Sequence, residues 1–258
     1  MSPRVDPANG QIVTPSNRGS LSDFFTEVRE TLLPPRGGKD GPLPPLLVAM
    51  TLVTGLVDAF SYLVLGHVFV ANMTGNVLFI AFALAGAQGF SVTSSLTALG
   101  SFALGSLLGG RIGSRESADR RRMLWTAAGI QACLMGAALV IAMLAESPIP
   151  LEYGLPIIIA LGISMGLQNA AARKLAVPDL TTTVLTLTLT GLFSDSKLVG
   201  GSGSKAGRRL LSVLAMFTGA LIGVLAILYV SFVVPLLLAF VVIALVSVAS
   251  RVLAWTTG

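Results

Sequence analysis

His67 to Gly86 reads HVFVANMTGNVLFIAFALAG, and Lys174 to Phe193 reads KLAVPDLTTTVLTLTLTGLF. Each stretch breaks an apolar helix with a short polar segment and then resumes as apolar helix. Laid over each other at an offset of 107 residues (67 to 174), they pair Asn72 with Asp179, Thr74 with Thr181 and Val77-Leu78 with Val184-Leu185. Upstream, Gly55 falls on Gly162, so five of the 24 positions from 55 to 78 are identical. Interrupted apolar segments at corresponding places in two halves of a membrane chain are the sequence signature of a transport site.

Composition places the chain in a bilayer. Its 258 residues are 53% hydrophobic and 11% charged, with a mean hydropathy of +0.83, whereas soluble domains carry about 25% charged residues. The charges behind the net +5 sit in the N-terminal tail and in two loops, where they report membrane orientation and not nucleic-acid binding. A single cysteine, Cys133, excludes an intramolecular disulfide. Residues 1–43 are rich in Pro, Gly, Ser and charge and read as a disordered cytoplasmic tail. Within the tail Leu21, Phe24, Phe25, Val28 and Leu32 share one helical face, which predicts a short interfacial helix.

A spanning helix needs about 20 apolar residues. Six runs satisfy this: 44–66, 92–111, 123–145, 154–172, 210–231 and 233–254. The segments 75–88 and 180–194 are too short. Charge decides whether they cross. The loop 111–122 carries five arginines against two acids, and 195–209 carries Lys197, Lys205, Arg208 and Arg209 against Asp195. The loop 146–153 holds Glu146 and Glu152 and no base. If both short segments crossed, the two basic loops would face opposite sides. If both re-enter, the tail, both basic loops and Arg251 fall on the cytoplasmic side, as the positive-inside rule requires. The expected fold is therefore all-α and polytopic, with six transmembrane helices plus two re-entrant half-helices. Three spans per half make two inverted repeats, 44–145 and 154–254, in a single membrane domain over 44–258.

Irregular backbone at membrane depth is tolerated only inside protein or beside a wet cavity. Asn72 and Asp179 are good N-cap residues, so each half-helix is expected to start inside the protein with its positive end inward. Two such ends form a spot suited to a small anion. The candidate substrate-binding residues are Asn72, Thr74, Gly75 and Asn76 in the first break and Asp179, Thr181, Thr182 and Thr183 in the second. Asp58, Gln168 and Asn169 project from the adjoining spans. Asp58 is the only carboxylate deep in a span, where a charge costs about 2.5–3.5 kcal/mol, so it is paired, protonated or facing water. Thr183, Thr186 and Thr190 share a helical face that could line a polar path or bond back to their own helix. Gly105, Gly109, Gly219 and Gly223 have the spacing of close helix packing.

No metal-ligand cluster, phosphate loop or nucleophile elbow is present in the sequence. Asp58 and His67, the one acid–base pair on offer, lie nine residues apart on one helix, or ~13 Å along its axis. Neither an enzyme nor a cofactor protein is expected.

The segments GLVDAFSYLVLG and HVFVANMTGNVL, with the later GLQNAAARKL and TTTVLTLTLTGL, resemble the YoaK-like family of bacterial inner-membrane proteins, domain of unknown function 1275. The similarity covers roughly 46–250 and is most specific at Thr74-Gly75-Asn76 and Gln168-Asn169. It implies about six spans in a bacterial plasma membrane and supplies no reaction. On the residues alone, the expected function is a small secondary transporter or channel for a small polar or anionic solute, bound between the half-helices. The alternative is a membrane scaffold or accessory protein in which the breaks only hold the fold.

The arginine and lysine counts predict that residues 111–122 and 195–209 and both termini are cytoplasmic. In a Cys133→Ser background, an impermeant thiol reagent applied to intact cells should label Ser147→Cys and spare Ser117→Cys. The reverse pattern contradicts this topology.

Overall fold

The computed structural model describes residues 21–35, 38, 40–115, 119–177, 180, 185–195 and 206–253. The described residues are helical throughout their regular structure: α1 (Leu21–Leu32), α2 (Leu43–Val64), α3 (Met73–Leu84), α4 (Val92–Arg115), α5 (Arg120–Leu144), α6 (Leu151–Leu175), α7 (Leu185–Ser194), α8 (Ala206–Tyr229) and α9 (Val234–Val252). Six of these, α2, α4, α5, α6, α8 and α9, are long and apolar enough to cross a membrane, and α3 and α7 are not. Several helices outrun the expected spans. α4 continues to Arg115 and α5 starts at Arg120, because basic residues carry a helix past the hydrocarbon without charging its interior. α5 is closed at its start by Asp119, whose Oδ1 accepts the Arg122 N–H at 2.9 Å, a standard N-cap.

The helices pair in a pattern with internal correspondence. α4 packs along α6 and α2 along α8; α5 packs on α6 and α2 on α9; α3 lies on α4 and α7 on α8; α5 and α9 face each other. Exchanging α2 with α6, α3 with α7, α4 with α8 and α5 with α9 returns the same set of pairs. The glycines make the two largest interfaces close. A Cβ on Gly55 would strike the Met216 carbonyl oxygen, and one on Gly162 would strike Ser101 and approach the Ala98 carbonyl oxygen at 3.4 Å. Gly219 and Gly105 lie equally tight on the backbones of Leu52 and Ile163, and Gly109 and Gly223 approach the Cβ atoms of Ala170 and Ala59. In lipid, where apolar burial between helices contributes little, such backbone approach is a main source of helix affinity.

The charged residues gather at one end of the bundle. Asp40, just before α2, lies 3.6 Å from Arg120 at the start of α5 and 3.5 Å from Arg208 at the start of α8. Arg120 also donates to the Leu175 carbonyl at the end of α6, at 2.6 Å. Arg121 bonds the Arg251 carbonyl at the end of α9. Exposed ion pairs contribute little stability, so their value here is as markers of position. The chain leaves α6 and enters α8 at the same end of the bundle. At the tip of α7, Arg209 bonds the Gly191 carbonyl and, at 2.8 Å, Asp195. This hydrogen bond is the main cause holding the exposed Asp195 carboxyl below its ordinary range.

The expected tail helix is present as α1, and it does more than lie on a surface. It packs on α8 and α2, and the Glu27 carboxylate accepts the Gly207 N–H at 2.9 Å, closing the start of α8.

Gly105→Ala should lower stability by about 1–3 kcal/mol, because the added methyl meets backbone and not a movable side chain. Gly110→Ala, with open space around its Cβ, should be neutral or gain up to ~1 kcal/mol of helix propensity. Thermal unfolding of the two variants in detergent separates them, and equal midpoints would contradict the packing account.

Candidate functional site

The site begins where α2 ends. After Leu65 the backbone enters positive φ at Gly66 (86°) and His67 (55°), and the chain reverses. It runs back along α2, so that the N–H groups of Val70 and Ala71 reach Asp58 Oδ1 at 3.1 and 2.9 Å. Asp58 lies six residues before the end of α2 at Val64, so the reversal brings the chain at least ~9 Å back into the bundle. From there α3 sets out and returns over 12 residues, ~18 Å of helix. The chain after α3 thus comes back beside the outer start of the break, with His67 Nδ1 2.9 Å from the Gly89 carbonyl oxygen.

Asp58 is 5% exposed. One carboxylate oxygen holds the break, and the other, Oδ2, has no hydrogen-bond partner among the described residues. The expected Asn72 cap is not what closes α3. Asn72 makes no side-chain cap bond and is exposed. Asn76, fully buried, ties the break instead. Its Oδ1 accepts the Phe69 N–H at 2.9 Å and its Nδ2 donates to the Phe69 carbonyl at 2.6 Å. An amide matches a backbone N–H and C=O simultaneously, which is why asparagine suits this position. Gly75 is needed for the same approach, since a Cβ there would lie 2.6 Å from the Phe69 ring. Phe69 stacks on Tyr62 with centroids 5.0 Å apart, and Phe79 packs on Phe90 at 5.1 Å, sealing the outer part of the loop. Thr74 is exposed.

A second polar group sits deeper. Gln168 of α6, fully buried, accepts from Gln131 Nε2 at 2.6 Å and donates to Thr54 Oγ1 at 2.9 Å and the Met50 carbonyl at 3.2 Å. These bonds join α2, α5 and α6. Gln131 was not singled out from the sequence, although an amide in the run GIQACLMG was the signal available. Because Leu175 and Asp40 share one end of the bundle, α2 and α6 are antiparallel. One turn from the Gln168–Thr54 contact therefore brings Ser164 to the level of Asp58. Ser164 Oγ is also buried without a partner among the described residues. Asn169 is half-buried and bonds back to the Met165 carbonyl at 2.9 Å.

In the second break, Asp179, Thr181, Thr182 and Thr183 lie outside the described residues. Of the two roles expected of the α7 threonines, bonding back to their own helix is seen at Thr190. Thr186 and Thr190 are exposed, with Thr190 donating to the Thr186 carbonyl at 2.8 Å. Thr188 is the buried threonine of that helix. Threonine hydroxyls commonly return to their own helix in this way. No group of three or more potential metal ligands occurs among the described residues.

A family described as a protein of unknown function (DUF1275) matches residues 46–249. The chain belongs to the DUF1275 family. It is 37% identical over 154 residues to the UPF0700 transmembrane protein YoaK of Bacillus subtilis (strain 168). That match takes in 58% of this chain and 65% of the relative. No solved structure matches. Membership and the six apolar helices together make this a multi-pass membrane protein, and the matched range contains both the Asp58 break and the Gln168 network.

Removing the Asn76 amide leaves both Phe69 backbone groups unpaired inside the protein, so Asn76→Ala should destabilise by about 1–3 kcal/mol. Thr74→Val, on an exposed position, should stay within about 0.5 kcal/mol of the parent. Unfolding midpoints in one detergent give the comparison; a Thr74→Val loss as large as that of Asn76→Ala would contradict these assignments.

Proposed function

We propose that this protein is a small secondary transporter or channel for a small polar or anionic solute, not an enzyme, with its site at the inner end of α3. The carrying observation is the divided carboxylate of Asp58. One oxygen is committed to the backbone of the break, and the other is buried with no partner among the described residues. An unsatisfied buried acceptor costs about 1–3 kcal/mol. A proton or a solute donor at Oδ2 removes that cost.

The chemistry of this point suggests coupling. The N-terminal end of α3 attracts negative charge, and the Asp58 carboxylate already sits there. An arriving anion competes with it. Protonating Asp58 removes the competing charge while leaving Oδ1 able to accept from Val70 and Ala71, so an anion and a proton would occupy the site together.

In this reading α3 and α7 are re-entrant half-helices and the two halves are inverted repeats. The correspondence of helix pairs, the equivalent crossings of Gly55 and Gly162, and the return of the chain after α3 to His67 support it. The basic end of the bundle, with both termini, faces the cytoplasm of a bacterial inner membrane, which the arginine distribution favours. The scaffold reading draws on one observation: Asn76 and Gln168 spend their polar groups on protein partners.

Thermal-shift titrations of the purified protein with formate, acetate, nitrate, chloride and phosphate test the proposal. An anion that binds should lose affinity about two- to twelve-fold in Ser164→Ala, which removes the hydroxyl left without a partner among the described residues at the level of Asp58, the value of one hydrogen bond. In proteoliposomes Asp58→Asn should still bind it but lose the dependence of its uptake on a pH gradient. If no anion binds, or if both variants bind and move it like the parent, the scaffold reading stands instead.

A further inference from the structure

At the basic end of the bundle, away from the break, the start of α5 and the end of α9 enclose a cleft of about 420 Å³ lined by Asp119, Arg121, Arg122, Trp125 and Arg251. Each residue is held for a local reason. Asp119 is the N-cap of α5, Arg121 reaches across to the Arg251 carbonyl, and the Arg251 guanidinium lies 3.7 Å over the Trp125 ring. That stacking fixes one cation at the wall of the cleft without neutralising it. Among the described residues the lining holds three guanidinium groups and one carboxylate, and the start of α5 adds its own partial positive charge. Guanidinium forks match the oxygens of a phosphate.

The helix that supplies Arg251 also carries an exposed apolar track. Val241, Leu245, Val248 and Val252 fall on one face of α9 and are 43%, 62%, 59% and 77% exposed. The track leads from Arg251 along the part of α9 that crosses the bilayer. A soluble phosphate has no use for such a surface, whereas a phospholipid has an acyl chain to lay on it. Tryptophan also favours the headgroup level of a membrane, and basic pockets between helices on the cytoplasmic side suit anionic headgroups.

We propose that this cleft is a binding site for the headgroup of an anionic phospholipid, with the phosphate held by Arg121, Arg122 and Arg251 and an acyl chain along α9. The site is separate from Asp58 and does not depend on transport.

Native mass spectrometry of the delipidated full-length protein, offered phosphatidylglycerol or phosphatidylcholine, provides the test. Phosphatidylglycerol should be retained in preference, and Arg251→Gln or Arg122→Gln should reduce its retention at least about tenfold, as expected for loss of a charge-assisted contact. Should those variants fail to fold, Trp125 fluorescence in the Trp255→Phe chain supplies a second readout. Brominated phosphatidylglycerol in nanodiscs should quench it more than brominated phosphatidylcholine at equal mole fraction. Equal retention and equal quenching by the two lipids would overturn the proposal. So would displacement of phosphatidylglycerol by equimolar inorganic phosphate, which would identify a soluble phosphate as the occupant.

Discussion

The two hydrogen bonds from Val70 and Ala71 to Asp58 Oδ1 are the contact on which the membrane architecture turns. A helix that stops at bilayer depth leaves backbone donors that lipid cannot satisfy. Here a carboxylate from the preceding helix satisfies two of them, and the chain can reverse inside the protein. Without that partner the segment 66–72 would either stay at the surface or continue as helix. α3 could then not start beside the middle of α2. A single buried acid thus fixes where the loop turns and leaves its second oxygen facing the same place.

Around this point the bundle divides its work between small residues and amides. Glycines let α2 meet α8 and α6 meet α4 at backbone distance, supplying close contact where the hydrophobic effect is weak between helices. Gln168, Thr54 and Gln131 join α2, α5 and α6 at their centre. Asn76 and the rings of Tyr62, Phe69 and Phe79 finish the loop. The polar groups that hold the structure and the polar groups left open are therefore neighbours on α2 and α6. A site can change its protonation or occupancy there while its frame is held by separate bonds.

Much of this was legible in the chain. Six spans followed from run length, and the first break from its polar residues; the second break lies outside the described residues. The common end of Arg120, Arg208 and Arg251 followed from loop charge. Asp58 stood out as the one acid in an apolar run, yet its partner did not, because the contact spans twelve residues of a chain that must first reverse. Within Thr74-Gly75-Asn76 the sequence offers two hydrogen-bonding side chains two positions apart. Which one turns inward depends on the rotation of α3, and the structure turns Asn76 inward and Thr74 out. On α7 the sequence likewise did not single out Thr188, which is buried where Thr186 and Thr190 are exposed. Gln131 was invisible as a partner because its contact with Gln168 arises only when α5 and α6 pack.

The central claim is that the chain from α2 to α4 enters and leaves the membrane on one side, turning at Asp58. Two single-cysteine chains in a Cys133→Ser background, His67→Cys and Gln88→Cys, test it directly in sealed vesicles of known orientation with an impermeant thiol reagent. The account predicts that both positions, exposed at the same end of the bundle, react from the same side of the membrane. Reaction of His67→Cys from one side and Gln88→Cys from the other would mean that α3 crosses the bilayer, and would contradict it.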